Sequence, residues 1–233
     1  MKVPSWKNTN FIDSPFVEIT SESGIDMAMQ YPLLGMRHGE SRCFVRKEVY
    51  EKLLMVQSML PEGIFLRIWD AWRPFALQEE LYHVYGAQIL ESQGLTNASF
   101  EEKQQAISQF VSLPRPDRDY PPLHTTGGAV DVTLIDAEGR ELDMGTPFDS
   151  FSEKSASDYY EEHDAEEVTA KEVRNRRRIL RNAMCSVGFT YLDSEWWHYD
   201  YGNREWARQL DVPAIYKGAF TVEEVNIEEV DKA

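Results

Sequence analysis

Apolar residues recur at helical spacing in several stretches of the chain. Val49, Leu53, Val56 and Leu60 fall on one face of a helix expected over Arg46 to Leu60, which Pro61 and Gly63 stop. Leu77, Leu81, Val84, Tyr85 and Ile89 mark a second helix from Pro74 to Gln93, with proline tolerated in its first turn. A third runs from Ser99 to Leu113, where Ser99 and Glu102 have the spacing of a capping box and Pro114 and Pro116 close the segment. The last spans Val168 to Val187 and ends at Gly188. Between them lie short runs rich in β-branched and aromatic residues: Ser41 to Val45, Ile64 to Asp70, Ala129 to Ile135, Phe189 to Leu192 and Trp197 to Tyr201. Asp136 to Arg140 reads as a hairpin turn, and Met144 to Glu167 as a long surface loop with a solvated acidic run.

Strands and helices intermixed in this way predict an α+β fold, a small, mainly antiparallel sheet flanked by helices. At 233 residues the chain suits one domain, residues 1–233, with an irregular lead-in over 1–30 packed on it and a C-terminal tail over 205–233. Phe11, Ile12, Phe16, Val17 and Ile19 are available to pin the lead-in to a core.

Charge narrows the choice of partner. Forty acidic residues against twenty-four basic ones give a net charge of −16, which opposes general association with nucleic acid or an anionic membrane and favours a small-molecule or peptide ligand. The arginines at 174, 176, 177, 178 and 181 form a local basic cluster, read as an ion-paired helix face. No long apolar run follows the amino terminus, and Cys43 and Cys185 are far apart, so a cytoplasmic protein with two reduced cysteines is expected.

The candidate chemistry lies in two stretches. Leu123 to Val132 sets His124 and Asp131 on either side of Gly127-Gly128, and Glu195-Trp196-Trp197-His198 adds a second imidazole beside a free carboxylate. His124, Asp131 and His198 would give a zinc ion three protein ligands and leave a position open, as catalytic sites do. Glu195 would then be the general base, returning its proton to a leaving amine. Arg73, at a strand-to-helix junction, is a permanent cation that would stabilise an oxyanion or else simply pair with Asp70. The offsets of seven from His124 to Asp131 and three from Glu195 to His198 are odd. Regular strands would send each pair to opposite faces, so a bend at the glycines and a break near Ser194 to Trp196 are required. His38, His83 and His163 read as structural or surface residues.

Five ordered blocks resemble the VanX-type D-alanyl-D-alanine dipeptidases, zinc enzymes related to D,D-carboxypeptidases and to the Hedgehog signalling domain. They are Trp69 to Pro74, His124 to Asp131, Met144 to Asp149, Asn175 to Arg178 and Glu195 to Tyr199. The resemblance implies one zinc ion on His124, Asp131 and His198, Glu195 as catalytic base, Arg73 on the oxyanion, and Asp149 holding the free ammonium of a small dipeptide. Two positions depart from the family pattern. Pro122 stands where a serine is usual, and Met29 stands where a tyrosine is usual, with Tyr31 nearby. Alternatives remain: a carboxypeptidase or endopeptidase on peptidoglycan stem peptides, a metal-bearing binding module without catalysis, and an iron oxygenase, whose carboxylate ligand commonly follows its first histidine by two residues rather than seven. The oligomeric state is not legible.

Overall fold

The structure is a computed structural model and describes residues 5–7, 9–108, 111, 113–150, 152–163 and 167–228. In chain order the strands are β1 (Phe16–Ile19), β2 (Asp26–Met27), β3 (Cys43–Arg46), β4 (Ile64–Asp70), β5 (Ala129–Asp136), β6 (Thr190–Leu192) and β7 (Glu195–Asp200). The helices are α1 (Gln30–Leu33), α2 (Lys47–Met59), α3 (Phe75–Ser92), α4 (Phe100–Ser108), α5 (Tyr159–Glu162), α6 (Val168–Ser186) and α7 (Arg204–Leu210). The larger sheet has the order β2-β4-β5-β7-β6, with β2 parallel to β4 and the other pairings antiparallel, while β1 and β3 form a separate antiparallel ribbon. This is the expected α+β architecture.

Alternation along the central strands decides what each face of the sheet carries. Leu66, Ile68, Val130, Val132, Leu134 and Tyr199 share one buried cluster with Leu53 and Val56 of α2 and with Leu180 and Met184 of α6. Asp131 and His198, directly opposed across β5 and β7, take the other face. A 13-residue helix such as α2 is marginal alone. Burying Val49, Tyr50, Leu53 and Val56 at about 1.5–3 kcal/mol per large apolar side chain is what holds it on the sheet. A second cluster packs Leu77, Leu81, Tyr85 and Ile89 of α3 against Ile107 of α4.

Several expectations are corrected. The stretch read as a long loop from Met144 holds a 3-10 turn over Glu153–Ser155 and the short helix α5. Its acidic residues are not all simply solvated: Glu161 pairs with Arg178 and Arg181, and Asp158 with Arg181, so two of the cluster's arginines on α6 are ion-paired with this stretch. In the lead-in, Phe16, Val17 and Ile19 are core residues, but Ile12 is exposed. Its β1 pairs with β3, and Thr9 and Phe16 form bridges to Ala214 and Ile227. The last strand begins at Glu195 rather than Trp197. The Ser99 capping box is present, with the Ser99 N–H donating to Glu102 Oε2 at 2.9 Å and the Glu102 N–H to Ser99 Oγ at 3.3 Å. The end expected for that helix falls partly on residues 109, 110 and 112, outside the described residues, as do 164–166 of the acidic run and 229–233 of the tail. Cys43 is buried and both cysteines are free. Among the described residues, no helix is long and apolar enough to cross a membrane.

Candidate active site

Three departures from regular pairing build the site. Continued in register, β4 would set Trp69 opposite Asp131. A bulge between Ile68 and Asp70 slips the pairing by one and sets Asp70 there instead. Asp70, Asp131 and His198 therefore line up across three adjacent strands on one face. The second departure is a 3-10 turn over His124–Thr126, closed by Gly127 at φ 71°, which lets His124 face the same way as Asp131 although seven residues separate them. At the adjacent Gly128 a Cβ would lie 2.2 Å from the Tyr201 carbonyl oxygen, so that strand approach admits glycine alone. Third, Tyr191 pairs with Tyr199 but Leu192 pairs with Glu195. Trp196 to His198 thus have no counterpart on β6, and this bulge turns Glu195 and His198 toward one cavity. Both bends demanded by the odd spacings are present.

His124, Asp131 and His198 are buried, and their ligand atoms lie within 4.8 Å of one another. Their tautomers are fixed from behind. His124 Nδ1 meets the Ala71 carbonyl at 2.8 Å, which makes that nitrogen the donor and frees Nε2. His198 Nε2 meets Asp200 Oδ1 at 3.0 Å, which frees Nδ1, and Nδ1 lies 3.0 Å from Asp131 Oδ1 and 3.2 Å from His124 Nε2. Two imidazole lone pairs and a carboxylate converging in this way form a donor set that fits zinc. Burial pushes the Asp131 carboxyl up, but the charge and hydrogen bond of His124 and then those of His198 outweigh it and hold the group far below the usual carboxylate range.

Arg73 pairs with Asp70 and also lines the cavity. Its Nε and Nη2 donate to Asp70 Oδ2 at 3.0 and 2.9 Å, and Nη1 donates to Gln78 Oε1 at 2.8 Å. So held, the guanidinium lines the cavity with Nη2 3.7 Å from Asp131 Oδ2. Nη2 also donates to the Tyr31 hydroxyl at 3.1 Å. Asp149 lies in the left-handed region at φ 53°, and Tyr85 and Tyr31 hydrogen-bond its carboxylate. Its Oδ2 is cut off from solvent and has no hydrogen-bond partner among the described residues. Burial, reinforced by the charge of Asp131, pushes this carboxyl up to about 6. Burial also pushes the Glu195 carboxyl up to about 8 against the pull of His198, with Asp131 and Asp149 adding to the rise. All six residues singled out in the sequence line one cavity of about 350 Å³.

The Peptidase M15 family model, D-ala-D-ala dipeptidase, matches residues 27–214. The chain is 33% identical over 179 residues to the D-alanyl-D-alanine dipeptidase of Synechocystis sp., covering 73% of this chain and 72% of that one. The chain belongs to the D-alanyl-D-alanine dipeptidase family. The family's D-alanyl-D-alanine dipeptidase from Enterococcus faecium is 31% identical over 157 residues, 65% of this chain and 70% of its own. A crystal structure of a mutant of the vancomycin-resistance D,D-pentapeptidase VanY in complex with Zn(II) covers 89% of this chain and 93% of its own, at 16% identity and a TM-score of 0.45. As a family member the protein is a zinc metallopeptidase.

Several residues of this dipeptidase-family site escaped the sequence reading. Asp200 follows His198 by two on β7, so alternation carries both to one face, and it accepts from the Asn203 amide at 2.5 Å. Asn203 in turn caps α7, its Oδ1 accepting from the Glu205 and Trp206 N–H groups. The signal for Asp200 was its even offset from a candidate ligand. Gln78 and Tyr85 had none, because their spacing on α3 reads as a packing face. Tyr31 reaches the site from α1, while Met29 is buried in the core. Pro122 also lines the cavity, next to Leu123. Of the paired tryptophans, Trp197 lines the cavity and Trp196 packs on Trp69 with ring centroids 5.5 Å apart. The remaining histidines are remote from it: His38 pairs with Glu80, and His163 stacks on Tyr159.

Proposed function

We propose that this protein hydrolyses D-alanyl-D-alanine or a similarly small dipeptide, with His124 through Nε2, Asp131, and His198 through Nδ1 holding one zinc ion. The observation that carries this reading is the convergence of six side chains from separate segments on one cavity. Bound there, zinc supplies Lewis acidity toward the scissile carbonyl and lowers the pKa of water toward ~7. Glu195 takes the proton released as water adds to the carbonyl carbon and delivers it to the amine as the C–N bond breaks, leaving two alanine molecules. A carboxyl raised to about 8 by burial suits a group that must both accept and return a proton. Arg73, aimed by Asp70 and Gln78, faces the oxyanion with a charge it cannot lose. Asp149 receives the substrate ammonium on a carboxylate whose Oδ2 has no other partner among the described residues.

An ammonium pocket explains why such an enzyme would prefer a free dipeptide to a longer peptide, whose corresponding nitrogen is an uncharged amide. The whole chain would act as one domain, in the cytoplasm, turning over cell-wall dipeptide. The two free cysteines and the strongly acidic surface fit that setting. The test compares alanine release from D-alanyl-D-alanine, its N-acetyl form and a peptidoglycan pentapeptide. The free dipeptide is expected to be cleaved at least about 30-fold faster than the other two, from the cost of leaving a buried charge unpaired. Equal cleavage of all three would favour a carboxypeptidase on stem peptides, and cleavage of none a binding module.

A further inference from the structure

Within the arginine cluster of α6, Arg177 stands apart from the ion-paired face. Arg177 is buried, at 6% exposure, and among the described residues its hydrogen bonds run to main-chain carbonyls alone. Nε donates to Met144 at 2.8 Å, Nη1 to Ala156 at 2.9 Å and Nη2 to Lys154 at 2.8 Å. The rings of Tyr160 and Trp196 flank its guanidinium at 4.8 and 5.3 Å. One planar cation therefore joins the two feet of the segment that carries Asp149, gripping it five residues before that aspartate and five and seven after. Burial lowers the guanidinium to about 10, so it stays charged at neutral pH.

That segment needs holding for two reasons. Asp149 adopts a left-handed backbone that a non-glycine residue keeps only where its surroundings over-determine it. Its carboxylate is also enclosed beside the charge of Asp131, an arrangement that favours swinging outward into water. The same segment supplies Ser150, Ser152, Ser155 and Ala156 to the cavity wall. A guanidinium can bond three carbonyls lying in different directions in one plane. A lysine at this position offers a point charge that cannot span them.

We infer that Arg177 is a positioning residue for substrate recognition, a strap that fixes the Asp149 segment to α6 and so presets the ammonium pocket without touching substrate. The inference rests on the dipeptidase reading above. The experiment uses full-length, zinc-loaded protein with Arg177→Lys and Arg177→Ala, measuring kcat and KM on D-alanyl-D-alanine, zinc content, and amide hydrogen exchange. The expected result is a KM raised about 10- to 100-fold with kcat within about threefold, as for a misplaced binding group. Zinc stays at one per chain, and faster exchange is confined to residues 145–157. Guanidinium ion at low millimolar concentration lowers the raised KM of Arg177→Ala, and Arg177→Lys adds nothing further in an Asp149→Asn background. An unchanged KM, additive effects in that double variant, or exchange that spreads to β5 and β7 with loss of zinc would each overturn it. If Arg177→Ala does not fold, Arg177→Lys carries the same comparison. If the wild-type protein releases no alanine, the dipeptidase reading fails separately, and the confined exchange change still decides whether the strap exists.

Discussion

Replacing Asp149 by asparagine separates the cost of the proposed ammonium pocket from its benefit. The carboxyl rises from an ordinary 3.8 to about 6, first because it is buried and then because Asp131 is near. At about 1.4 kcal/mol per pH unit this is about 3 kcal/mol. Oδ2 is cut off from solvent, so screening by water removes little of it. The folded-state pKa lies above the unfolded one, so the folded protein binds the extra proton between them. The penalty is therefore absent below about 3.8, grows as pH rises, and is complete above about 6. Asp149→Asn should accordingly stabilise metal-free protein by up to about 3 kcal/mol at pH 8 and by almost nothing at pH 3.5, as read from urea unfolding. Zinc beside Asp131 cancels part of the second cause, so the gain shrinks in the loaded protein. The same substitution should lower kcat/KM for the dipeptide by about 30- to 4,000-fold, the 2–5 kcal/mol that removing one partner of a buried charge pair costs. In the wild type, kcat/KM should fall as pH drops through about 8, where Glu195 gains its proton, and more steeply through about 6, where a protonated Asp149 no longer attracts an ammonium. A variant that is less stable at pH 8, or one that keeps its kcat/KM, would refute the reasoning.

Other substitutions probe the remaining parts of the site. Glu195→Ala should keep one zinc per chain while kcat falls about 10²- to 10⁴-fold, and loss of metal in parallel with activity would assign Glu195 to the metal instead. Asp200→Ala releases the Nε2 proton of His198 from its acceptor, and competition with a chelator should show zinc held about 10- to 100-fold more weakly. Gly128→Ala places a Cβ 2.2 Å from the Tyr201 carbonyl, and the strand shift needed to relieve it should cost about 1–3 kcal/mol or more in urea unfolding. An unaltered midpoint would mean that β5 and β7 are not so closely joined.

The parts of the molecule governed by short-range pattern were legible in the sequence. The apolar repeat of Val49, Leu53 and Val56 and the proline after Leu60 located α2 to within a residue at each end, and the β-branched run from Ile64 located β4. The metal cluster was legible from its ligand residue types, and the odd offsets within strands then demanded bends at Gly127 and before His198, both of which occur. What stayed hidden depends on contacts between distant segments. The bulge at Trp69 is set by how β4 meets β5, so nothing local could tell that Asp70 rather than Trp69 would stand beside Asp131. The acidic run after Met144 looked like a solvated loop because its arginine partners lie on α6, some twenty residues downstream. Tyr85 looked like a core residue of α3, since helical spacing does not reveal that one side of that face borders a cavity.

The central claim is that zinc held by His124, Asp131 and His198 is what lets this chain cut a dipeptide. Titrating zinc into chelator-stripped protein while measuring D-alanine released from D-alanyl-D-alanine tests it most directly. The rate is expected to climb linearly to a plateau at one equivalent in the wild type and to stay at baseline in His198→Ala. Release at the full rate without metal, or none with one zinc bound, would contradict it.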